Sequence, residues 1–151
     1  MRFLRDIERQ IYGMRTYLVL LGHIEILPKI YAEVVVPQTV LDELQDGDAP
    51  AEVRALFSAP PAWLEVCTLI FRRDPLMERL DRGEQDAILL AESVKAERLI
   101  IDDLDGRREA THRGLPVIGT LGLLARRSSS ESPRLAAGTR RLASNQLSCL
   151  P

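Results

Sequence analysis

Asp102, Asp103 and Asp105 fall within four positions, directly after the apolar run 99–101. At about 4 Å two such charges repel by roughly 4 kcal/mol at an effective dielectric of 20. A loop that gathers acids therefore turns them outward into water or holds a cation among them. Three acids elsewhere lie beside apolar faces. In "VLDEL", 40–44, Val40, Leu41 and Leu44 share one helical face and Glu43 stands at its edge, whereas Asp42 falls with Gln38, Thr39 and Gln45 on the polar side. In "GEQDAILLA", 83–91, Glu84 continues the row Ala87, Ile88, Ala91 one turn earlier, and Asp86 flanks the same stripe through Leu90. Each acid also has a structural reading. Glu43 could reach solvent from a boundary position, Glu84 and Asp86 could meet the helix dipole in a first turn, and an Asp-rich turn could cap the next helix, with Asp105 best placed to do so. Together, Glu43, Glu84 or Asp86, and Asp102 or Asp103 make a cluster. A dry cluster of carboxylates would bind protons, whereas Mg²⁺ or Mn²⁺, hard cations that take oxygen ligands and waters, would keep it ionised. Such a centre lowers the pKa of a bound water and stabilises charge on a phosphate, which is the chemistry of phosphodiester hydrolysis.

The elements that must position these acids alternate along the chain. "EVVVP" is a short β-branched run whose proline can open the helix "PQTVLDELQ". "AEVRALF" predicts a short helix and "WLEVCTLI" a second strand, with "DGDAP" and "SAPPA" as breaks. "GEQDAILLAESVKAE" predicts a helix, "RLIID" a strand, "DGRREATHR" a helix, "LPVIG" a strand and "TLGLLARR" a last helix. Strands alternating with helices imply an α/β fold with a parallel sheet, and ligands in such sheets bind beyond the carboxyl ends of the strands. The N-terminal stretch to residue 31 reads as helix through most of its length, with a break at Gly22 and a stop at Pro28. No strand precedes it. "SSSESPRLAAG", 128–138, has linker composition. The division expected is a domain over 1–127, with 1–15 atypical, and a weakly ordered basic tail over 128–151.

With 151 residues and 46% hydrophobic side chains the chain suits one domain with a sizeable core. The apolar run "YLVLL" is too short for a membrane span and no small-residue cleavage site follows Arg2 and Arg5, so a cytoplasmic protein away from the membrane is expected. Cys67 and Cys149 are isolated and read as reduced, structural thiols; His23 and His112 stand alone and offer no zinc spacing. Residues 1–106 carry 20 acidic and 12 basic side chains, residues 107–151 only 2 acidic and 8 basic. The two readings are a solvated surface with a basic tail, or a phosphate-binding rim beside an acidic pocket.

"GHIEILPKIYAEVVVPQTVLDEL", "LDRGEQDAILLA" and "RLIIDDLDGRREATHRGLPVIGTLGLL" resemble, in order and spacing, the PIN domains (PilT N-terminus type), in particular a small prokaryotic branch similar to VapC toxins of toxin–antitoxin modules. The resemblance covers roughly residues 16–125. It implies a three-layer α/β/α fold with a parallel sheet and Mg²⁺- or Mn²⁺-dependent endoribonuclease cleavage of RNA, with a small antitoxin partner and homodimerisation. Carried over by position, Glu43 matches the acid of the second motif, Glu84 and Asp86 those of the third, and Asp102 with Asp103 those of the fourth, as metal ligands or their support. Thr120 matches a hydroxyl position near the metal pocket. One motif departs. PIN domains begin with a short apolar strand ending in Asp, and the matching positions 11–14 read "IYGM", with no carboxylate. Asp6 and Glu8, the nearest acids upstream, lie in a stretch patterned as helix. The first central strand and its ligand are thus missing from the pattern. The alternative reading is a degenerate, non-catalytic PIN module that holds RNA or an antitoxin.

Overall fold

The computed structural model describes residues 22–31, 33–70, 74–128 and 147–150. Positions 1–15, and with them 11–14, lie outside the described residues. Gly22 adopts φ +67, which only glycine takes cheaply, and the turn there leads into a 3₁₀ turn at Ile24–Ile26 and the short helix α1 at Leu27–Ile30. Pro28 does not stop a helix as expected. It occupies the first turn of α1, where its missing N–H has no bond to lose.

Strand β1, Val34–Pro37, runs straight into helix α2, Gln38–Gln45, because Pro37 at φ −65 ends the one and is preset for the other. Helix α3, Ala51–Phe57, follows, and strand β2, Leu64–Leu69, returns parallel to β1 with Val36 opposite Val66. A 3₁₀ turn at Pro75–Met77, capped by Asp74, leads to α4, Arg82–Val94, which ends where Lys95 turns left-handed at φ 52. Strand β3, Leu99–Ile100, helix α5, Leu104–His112, strand β4, Val117–Ile118, and helix α6, Thr120–Ser128, complete the alternation, with β4 parallel to β3. The α/β class and the strand–helix order follow the sequence pattern closely. Among the described residues the strands form two sheets, one of β1, β2 and a later strand β5 (Leu147–Leu150) and one of β3 and β4, and α4 packs on both β1 and β3. One core gathers Leu27, Val36, Leu41, Leu44, Phe57 and Leu123; a second gathers Met77, Ile88, Leu99, Ile101 and Ala110.

Strand β5, Leu147–Leu150, was not expected. It lies inside the segment read as a weakly ordered tail, and it pairs antiparallel with β2, so the sheet is not purely parallel. Its register sets the Cα of Cys149 against that of Cys67. Cys67 is fully buried and disulfide-bonded, which corrects the expectation of reduced thiols. No spacing rule pairs two cysteines so far apart; only the return of the chain end onto β2 does. No helix among the described residues is long and apolar enough to cross a membrane.

Arg113, just past α5, fastens this half of the molecule. Its guanidinium, 15% exposed, bonds Asp74 at 2.5 Å, Glu109 at 2.6 Å and Glu92 at 3.3 Å, so one side chain ties α5 to α4 and to the 3₁₀ turn before it. The hydrogen bond from Arg113 holds the Asp74 carboxyl below its ordinary pKa. Arg113→Ala leaves three carboxylates facing one another without a cation and should lower the melting temperature by about 5 °C at neutral pH. Because Asp74 has a depressed pKa, its share of that stability exists above the unfolded value and is lost as pH falls through the folded one. The gap between the two melting curves should therefore narrow in acid, and a gap that widens there would contradict the assignment.

Candidate functional site

Glu43 reaches the site from α2, where Leu41 and Leu44 are buried and Asp42 is exposed, as the helical pattern predicts. Its carboxylate rests on the backbone of Gly83, which donates a hydrogen bond to it. A Cβ on Gly83 would lie 2.5 Å and 2.8 Å from the two Glu43 oxygens, so glycine is what makes room for this acid in the first turn of α4. Burial, then the charge of Asp81, then those of Asp86 and Asp42 push the Glu43 carboxyl up to about 7, with the Gly83 amide opposing them.

The start of α4 brings two more acids. Asp81 is the N-cap and accepts from the Glu84 amide at 3.3 Å. Glu84 turns toward α5, where a Cβ on Gly106 would stand 3.6 Å from its carboxyl carbon. Burial pushes the Glu84 carboxyl up to about 8, helped by Asp81, Asp103 and Glu43. Burial also raises Asp81, with Asp103 as the repelling neighbour. Asp86 accepts from Thr39 Oγ1 at 2.8 Å, a bond that pins α4 to α2.

The two aspartates at the end of β3 part company. Asp103 caps α5, its Oδ2 accepting from the amides of Asp105 at 2.8 Å and Gly106 at 2.9 Å. This corrects the expectation that Asp105 would be the cap. Asp105 lies within the first turn, exposed and 3.1 Å from Arg108. Asp102 instead faces α6: Oδ1 accepts from the Thr120 amide at 2.8 Å and Oδ2 from the Thr120 hydroxyl. Thr120 is the single buried polar residue among those described.

Of the residues singled out by sequence, Glu43, Glu84 and Asp103 share one electrostatic neighbourhood, Asp86 adjoins it through Glu43, and Asp102 is turned aside onto Thr120. Asp81 and Thr39 were missed. The signal for Asp81 was present, since an Asp followed three residues later by Glu marks a helix start; Thr39 had been placed on the polar side of its helix, with no local sign of a partner on α4. As they stand, no three Asp, Glu, His or Cys side chains among the described residues form a ready coordination cage. The donor set suits Mg²⁺ or Mn²⁺ nonetheless, because such ions take one or two carboxylates directly and keep several waters.

A family model described as a PIN domain matches residues 16–134. The chain belongs to the PIN-domain family. No curated protein and no solved structure matches it. The match takes in every acid of the site and Thr120, and it extends past the end of the resemblance read from the motifs alone.

The raised carboxyls fix the sign of a pH effect on this PIN domain. In the unfolded chain Glu43 and Glu84 titrate near 4.5, whereas in the folded chain they titrate at about 7 and about 8. Between those values the folded protein binds more protons than the unfolded one, so their contribution, full below about 4.5, is lost as pH rises through the folded values. Melting curves in a chelator should show stability falling from pH 5 to pH 9, and the slope should flatten in the Glu43→Gln, Glu84→Gln double variant. A melting temperature that climbs over that interval would show that the two acids are not held as described.

Proposed function

We propose that this PIN domain descends from metal-dependent endoribonucleases of the toxin–antitoxin type similar to VapC, and that Glu43, Glu84, Asp86, Asp102 and Asp103, joined by Asp81, bind or support Mg²⁺ or Mn²⁺. One observation carries the reading: α2, the start of α4 and the end of β3 each bring an acid into one electrostatic neighbourhood, and Glu43 rests where Gly83 leaves room. The bound ion would supply a water of lowered pKa and a counter-charge for phosphate. The chain's own residues do the positioning. Asp103 sets the start of α5 and, through it, Gly106 beside Glu84; Thr120 holds Asp102 by both oxygens; Thr39 fixes Asp86. An antitoxin partner and a homodimer are part of the same proposal.

A second reading has its own support. The sequence at 11–14 offers no acid where the first motif of the family has one. A domain lacking that ligand could hold RNA or an antitoxin without cutting. Misplacing reacting groups by about 1 Å can lose on the order of 100-fold in rate, and losing a ligand is worse. The chain is therefore expected to bind Mn²⁺ weakly and to cleave RNA near background, and to recover cleavage when residues 1–16 are replaced by an apolar strand ending in Asp.

Calorimetric titration with Mn²⁺ tests the centre itself. Asp103→Asn should weaken binding several-fold and leave the melting temperature nearly unchanged, since Asn caps helices as well as Asp. Gly83→Ala should do the same by displacing the Glu43 carboxylate, the flexible end of a side chain, without strain in the helix. Wild-type and variant titrations that coincide would defeat the metal reading. Robust Mn²⁺-dependent cleavage by the present chain, abolished by Asp103→Asn, would show instead that the first-motif acid is dispensable.

A further inference from the structure

We propose that Arg107 is the phosphate-binding residue of this site, its guanidinium receiving a phosphodiester of single-stranded RNA beside Asp102; the proposal rests on the nuclease-type reading above. Arg107 lies one turn into α5, whose N-cap is Asp103. Its guanidinium leans on Gly119, between β4 and α6: a Cβ there would stand 3.3 Å from Nη1 and 3.9 Å from Cζ of Arg107, and 3.0 Å from Oδ1 of Asp102. The cation and the Asp102 carboxylate thus flank the same bare glycine.

They do not pair. Both oxygens of Asp102 accept from Thr120, and among the described residues the Arg107 guanidinium has no ion pair and no hydrogen bond. The neighbouring arginines behave differently. Arg108 bonds Asp105 at 3.1 Å and Arg113 bonds three carboxylates. An exposed charge left uncommitted beside Asp102 has a use when the ligand is itself an anion. An RNA strand approaching Glu43, Asp81, Glu84 and Asp103 meets like charge, which a metal ion offsets only at the point of coordination. A planar guanidinium one helical turn away offers two parallel donors to the phosphate oxygens and orients the strand.

Arg108 provides a matched control, since Arg108→Ala removes the same charge one position along the same helix. Anisotropy of fluorescein-labelled oligouridine with Mn²⁺ is expected to show Arg107→Ala binding about tenfold more weakly, with the salt dependence reduced by about 0.7 in slope. Arg108→Ala should change affinity less than about twofold, and Arg107→Lys, which keeps the charge and loses the fork, should fall between. Mn²⁺ titration of Arg107→Ala should match wild type. Should wild type bind Mn²⁺ while the Ala variants at 107 and 108 lose RNA equally, or not at all, Arg107 is an ordinary solvated residue and only this proposal falls. A wild-type chain that binds no Mn²⁺ overturns the nuclease-type reading and this proposal together.

Discussion

Carboxylates brought together out of water repel one another, and the local structure of this domain is arranged to hold them against that repulsion. Two devices recur. Helix starts face the acids with backbone amides, whose partial positive charge favours a carboxylate, as at the Gly83 amide beneath Glu43 and the Asp105 and Gly106 amides on Asp103. Glycines stand where a Cβ would crowd an acid, at 83 against Glu43 and at 119 against Asp102. The amides do not cancel the repulsion. Glu43 and Glu84 remain well above ordinary carboxyls because burial outweighs the bonds they accept. The repulsion is concentrated where α4 meets α2 and α5, and the two apolar cores and the Arg113 junction keep those helices from moving apart to relieve it.

Much of this was legible in the sequence because periodicity depends on local geometry alone. The 3.6-residue spacing around Val40, Leu41 and Leu44 aimed Glu43 inward, and the row through Ile88 and Ala91 did the same for Glu84; both are half-buried as that spacing requires. What the sequence hid depends on partners distant along the chain. Thr39 looked polar-side and solvent-facing, yet Asp86, 2.8 Å away, comes from another helix. The cap of α5 fell to Asp103 rather than Asp105 because α5 begins at Leu104, and a boundary shift of one or two residues is beyond what apolar spacing can specify. Pro28 was read as an end when it was a beginning, since proline is compatible with both sides of a boundary. The disulfide at Cys67 and the antiparallel strand β5 both follow from one event invisible to local pattern, the return of the chain end to β2.

The adjacent pair Asp102 and Asp103 shows how an extended segment divides labour. Successive side chains at the end of a strand point to opposite faces, so one acid meets α6 and the next meets α5. Asp103, with an oxygen committed to two amides, stands in the neighbourhood of Asp81 and Glu84. Asp102 anchors the start of α6 through Thr120, with Arg107 left at its side. The two acids of one dipeptide thus hold two helix starts in fixed relation to the pocket. That relation, more than the number of acids, decides whether a phosphate and a cation can be held at once.

On the proposed metal-binding reading, protons and a divalent cation would compete for this pocket. With carboxyls at about 7 and about 8, Glu43 is partly and Glu84 mostly protonated near neutrality, so the metal-free domain relieves its repulsion by binding hydrogen ions. A cation must displace them, which makes its affinity rise with pH until both acids are ionised. If positions 11–14 stand where the family's first-motif acid would be, their lack of a carboxylate would act on both sides of this balance: one fewer negative charge would weaken the pull on a metal and also lower the repulsion that favours protons. The first effect is the larger for a hard cation, because a direct ligand is lost, whereas the repulsion it would have added is shared among several acids. On the proposed reading, a domain with this composition would keep the cluster of acids and hold the ion less tightly.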